Sequence, residues 1–117
     1  MGRKKNGLKD AETLRQEIAF WVKEEPVSAG AWDMFVLCTL KDLQKDYAIT
    51  MECLEGLEKE QFDFVCDAIE DVVYHFQKIE MVELIERLYT KFYGEDQDTE
   101  LYRTDISGLR NCIKAKQ

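Results

Sequence analysis

The stretch KEQFDFVCDAIEDVVYHF, residues 59–76, decides the fold class. Phe62, Val65, Cys66, Ile69, Val72, Val73 and Phe76 recur three and four apart. At about 100° per residue they fall within one arc of a helix. Neither Gly nor Pro interrupts the run, so nothing in it breaks that helix. The opposite arc is polar. With Glu60 set at zero, Asp63 lies near about −60°, Asp67 about −20°, Glu70 about −80°, Asp71 about +20° and Tyr74 about −40°. Phe64, at about +40°, and His75, at about +60°, border that strip. The spacing predicts an amphipathic helix with one apolar face and one face of carboxylates and a phenol.

Helical patterning continues on both sides. Downstream, Met81, Val82, Leu84, Ile85, Leu88, Tyr89 and Phe92 predict a helix from about Glu80 to Tyr93, stopped at Gly94. Beyond it lie the acidic segment Glu95 to Glu100 and a last helix from Thr104 to Ala115, with Ile106, Leu109, Cys112 and Ile113 inward. Upstream, Ala11, Leu14, Ile18, Trp21 and Val22 predict a first helix from Asp10 to Glu25, ended by Pro26. A second is expected from an N-cap at Ser28 to Asp46, with Trp32, Phe35, Val36, Leu40 and Leu43 on one face. Met34, Leu37 and Cys38 give it another apolar side, which predicts a central helix with Trp32 buried. A short helix from Thr50, read as its N-cap, to Leu57 completes the set. Strand-like alternation is absent. The expectation is an all-α, single-domain bundle of five or six antiparallel helices over 10–117, preceded by a basic leader, 1–9, that frays in solvent.

Composition agrees with one globular core. The chain has 117 residues, 45% hydrophobic and 34% charged, with a single Pro. No apolar run reaches the ~18 residues of a membrane span, and no apolar signal core follows Arg3, Lys4 and Lys5, so a cytoplasmic protein without membrane attachment is expected. Lys and Arg number 16 against 24 Asp and Glu, a net charge of −8. The leader holds four of those cations and no acid, so the rest of the chain is more acidic still. Such a body repels phosphate backbones, which argues against nucleic acid and for basic partners.

Sites of chemistry are scarce. One His is present, His75, and no P-loop, dinucleotide, zincin or nucleophile-elbow motif. Cys38, Cys53, Cys66 and Cys112 include no C-x-x-C pair, so zinc is not expected; the first three read as small buried thiols in helices. Around Asp96, Asp98 and Glu100 a calcium loop fails because Leu101 and Ser107 stand where Gly and Glu are required. Neither an enzyme, a cofactor nor a metal is expected.

The stretch from Leu54 through Val65, continuing to Ile69, Asp71, Val72, Tyr74 and Phe76, resembles the small acidic helical immunity proteins of bacterial toxin–immunity systems. The resemblance covers residues 32–93 in composition and texture. It implies an inhibitor that docks on a cognate toxin domain. The candidate partner-binding residues are Glu60, Asp63, Phe64, Asp67, Glu70, Asp71 and Tyr74. Phe64 is read either as an outward anchor beside the carboxylates or as a ring covered by another helix. The competing expectation is an intracellular helical adaptor or oligomeric structural protein without catalysis.

Overall fold

The computed structural model describes residues 8–24, 30–94 and 108–113. Among these residues there is helix and turn but no strand, so the all-α class is observed. The elements are α1 (Ala11–Glu24), α2 (Ala31–Phe35), a π-helical turn (Val36–Leu40), α3 (Lys41–Leu43), α4 (Tyr47–Glu55), α5 (Lys59–Phe76), α6 (Ile79–Tyr93) and a 3-10 turn (Leu109–Cys112). Residue contacts divide the chain into two units, Met1–Phe64 and Val65–Gln117.

In the first unit, α1 buries Ala11, Leu14 and Ile18, spaced as an α-helical stripe. Asp10 begins it, its Oδ1 accepting from the Thr13 amide at 2.8 Å. Then α2, the π turn and α3 form one unbroken helical path over 31–43, with αR dihedrals at each junction. Gly30 precedes it, and Ser28 lies outside the described residues. The path ends at Leu43, earlier than the expected Asp46, because Asp46 caps the next helix: its Oδ1 accepts from the Ile49 amide at 3.0 Å. Thr50 is therefore not a cap. It is buried inside α4, and its hydroxyl donates to the Leu43 carbonyl at 2.7 Å. That bond satisfies an orphan carbonyl at the end of α3.

Two further expectations fail on the 31–43 path. Met34, Leu37 and Cys38 are exposed, so the path has one buried side, not two. Trp32 is half-buried, whereas Phe35 is fully buried. Phe35, Thr39, Leu40 and Leu43 are buried and span one arc of about 140° at about 100° per residue, with Met34, Leu37 and Cys38 on the opposite side. The π turn over Val36–Leu40 lies within this path.

A polar network occupies the inward side of that turn. The Thr39 hydroxyl accepts from Trp21 Nε1 at 2.9 Å and donates to Glu17 Oε1 at 2.8 Å. Lys9, assigned to the leader by sequence, pairs with Glu17 and with Asp42. Hydrogen bonds to Asp42 and Glu17 raise the Lys9 ammonium above its ordinary value. For Asp42, desolvation pushes upward, but the bonds from Lys9 and Lys45 prevail and hold the carboxyl below its ordinary value.

The second unit buries Val65, Cys66, Ala68, Ile69, Val72 and Val73 from α5, and Met81, Val82, Leu84, Ile85, Leu88 and Tyr89 from α6. Apart from Ala68, both sets were predicted from spacing; Phe76 and Phe92, at the helix ends, are half-buried. Gln77 turns the chain between α5 and α6 at φ 56, a left-handed conformation that a non-glycine residue adopts at a cost. Its side-chain amide donates to the carbonyls of Tyr74 at 2.9 Å and Cys112 at 2.6 Å. Gly94 follows α6 at φ 75, as its sequence position predicted. Of the expected final helix, the described residues hold the turn at Leu109–Cys112, with Leu109 buried; Thr104, Ile106 and the segment 95–100 lie outside them.

Candidate protein-interaction face

Helix α5 places its carboxylates as the sequence spacing requires. Glu60, Asp63, Asp67, Glu70 and Asp71 are all exposed. Tyr74 is 54% exposed. Glu60 and Asp63 belong to the first unit, and Asp67, Glu70, Asp71 and Tyr74 to the second. Adjacent carboxylates on a helix repel by a few tenths of a kcal/mol per pair, so the arrangement opposes the helix that carries it.

The acids are not equivalent. Partial burial pushes Asp63 above its ordinary value; Lys59 opposes that rise and Glu60 adds to it. Glu70 Oε2 accepts from the Cys112 thiol at 3.6 Å. Burial, and then the charges of Glu70 and Asp71, push that thiol up. The Cys53 thiol is pushed up to about 12, chiefly by burial, so it stays protonated at neutral pH. Cys53 and Cys66 are buried as expected, whereas Cys38 is exposed.

Phe64 takes the covered alternative. It is half-buried, edge-on to Trp32 at 5.3 Å and to Phe35 at 5.1 Å, while Trp32 and Phe35 lie 5.2 Å apart. These centroid spacings suit edge-to-face attraction. Phe64 thus borders the carboxylates as part of an aromatic cluster. Tyr74 is the aromatic that projects from the strip.

Sequence reasoning missed another surface. Met34 is 44% and Leu37 59% exposed, beside exposed Cys38. Separate from that surface, and outward as the spacing of the first helix places it, Phe20 is 52% exposed, edge-on to Trp21 at 4.9 Å.

Among the described residues no group of three or more His, Cys, Asp or Glu could hold a metal ion. Among the same residues no helix is long and apolar enough to cross a membrane. A shallow depression of about 690 Å³ on α6 is lined by Glu83, Glu86, Arg87, Thr90 and Lys91. Arg110 makes a bidentate pair with Glu86, so its charge is mixed. Comparison with family models, with curated proteins and with solved structures finds no match.

Proposed function

We propose that the chain is a protein-binding module whose acidic α5 face docks on a basic protein surface. In its specific form it is an immunity-type inhibitor that covers a toxin's active site. The observation that carries this reading is the exposure of Asp67, Glu70 and Asp71 beside an exposed Tyr74 on one helix of one unit. Clustered charge of one sign accelerates encounter with an oppositely charged partner. A projecting phenol supplies contact area and a polar tip, which suits it to slow release. Glu60 and Asp63 extend the acidic run on the same helix.

Under this reading the gene beside this one encodes the toxin, and co-expression of the chain rescues growth. Asp67→Lys with Asp71→Lys should abolish rescue and slow association with the purified toxin by about tenfold or more. Tyr74→Ala should act on dissociation instead. Absence of rescue by the wild-type chain overturns the inhibitor form. Rescue by the double variant equal to wild type shows that the α5 face does not bind.

A further inference from the structure

We infer that the outward face of the 31–43 path binds a second copy of this chain, antiparallel, about a two-fold axis at Leu37. Met34, Leu37 and Cys38 present apolar surface to solvent there, which helices of soluble domains ordinarily turn inward. The two ends of this patch carry opposite charges. Asp33 stands four residues before Leu37 and Lys41 four residues after it, and both are exposed. Residues four apart on a helix drift by only about 40° per step, so Asp33, Leu37 and Lys41 share a side.

A two-fold axis at Leu37 sets Leu37 against itself and each Asp33 opposite the second copy's Lys41. The contact is isologous, with two identical ion pairs flanking an apolar centre. A parallel pairing would instead set Asp33 against Asp33 and Lys41 against Lys41, so charge selects the antiparallel arrangement. The same balance distinguishes a copy from a uniformly basic partner, which would meet Lys41 with like charge. A net charge of −8 opposes self-association, which the apolar centre and the flanking ion pairs have to outweigh. One helical face buries less than the ~1,200 Å² typical of stable interfaces, so the dimer is weak and concentration-dependent.

Sedimentation equilibrium of the full chain, up to about 1 mM, tests this. The weight-average mass should climb from one chain towards two as concentration rises. Leu37→Asp should abolish the climb. Asp33→Lys and Lys41→Asp should each weaken association about tenfold, because each change replaces two attractions with two repulsions. The double variant carrying both changes should restore it. All three side chains replaced are exposed, and circular dichroism checks that each variant remains helical. A mass of one chain at every concentration overturns the inference. So does association that Leu37→Asp leaves intact, or a double variant no better than its parents.

Discussion

Helix α5 and the 31–43 path both carry apolar residues at close intervals, yet they present opposite exteriors. On α5 one α-helical period sorts most side chains, and the outside is mainly carboxylate, with Tyr74 among the acids and Phe64 at their border. On the 31–43 path the backbone widens into a π turn, Phe35, Thr39, Leu40 and Leu43 are buried, and the outside carries Met34, Leu37 and Cys38. The difference teaches that apolar residues on two sides of a helical stretch do not by themselves mark a central helix. They also arise where one apolar side enters the core and the other stays in solvent. Thr39 adds to the contrast: the π turn buries a hydroxyl, held between Trp21 and Glu17, where α5 buries apolar side chains and a thiol.

The sharpest way to break this comparison is at Phe35. It is fully buried and meets both Trp32 and Phe64, so Phe35→Ala should cost about 3–5 kcal/mol in chemical denaturation. Trp32→Ala, at a half-buried ring of the same cluster, should cost about 2 kcal/mol. Equal losses would mean that the path is covered on both sides after all. Thr39→Val should follow at about 1–3 kcal/mol, since it strips the Trp21 N–H and the Glu17 carboxylate of their shared partner. A neutral result there would detach the polar network from the π turn.

Much of α5 and α6 was legible because their burial repeats at 3.6 residues, which sequence displays directly. The exposed carboxylates Glu60, Asp63, Asp67, Glu70 and Asp71 were legible for the same reason. The π turn was not, and the partners of its Thr39 hydroxyl, Trp21 and Glu17, lie on α1, out of reach of local spacing. Phe64 had the same difficulty: its ring partners Trp32 and Phe35 are distant in sequence. At α4 two adequate caps, Asp46 and Thr50, stood close together. The choice fell to Asp46 because the Leu43 carbonyl takes the Thr50 hydroxyl.

The polar network also predicts a pH response. Lys9 has a raised value in the folded chain, so its contribution to stability is fully present below the unfolded ammonium's ordinary 10.5 and is lost as pH rises through the higher folded value. Denaturation midpoints should therefore fall above about pH 10.5 in the wild type and fall less in Lys9→Met. Asp42, lowered in the folded chain, contributes above its ordinary 3.8 and loses that contribution as pH drops through the folded value. The smallest expected effect is on the exposed side of α5. Asp67→Lys should shift stability by under about 0.5 kcal/mol. A loss several times larger would show that its carboxylate holds the fold.

The corner at Gln77 bears on the order of folding. The α5–α6 corner closes over a few residues, but the hydrogen bond from the Gln77 side-chain amide to the Cys112 carbonyl joins positions 35 apart in the chain. Local closures carry a small entropic toll and long ones a larger one, so the hairpin can form first and recruit the 109–112 turn afterwards. Until that turn arrives, the Gln77 side-chain amide has its hydrogen bond to the Tyr74 carbonyl but lacks the one to Cys112. The terminal turn is thus the latch of the second unit, and its seating should be the late event in refolding, read as late amide protection at residues 109–113.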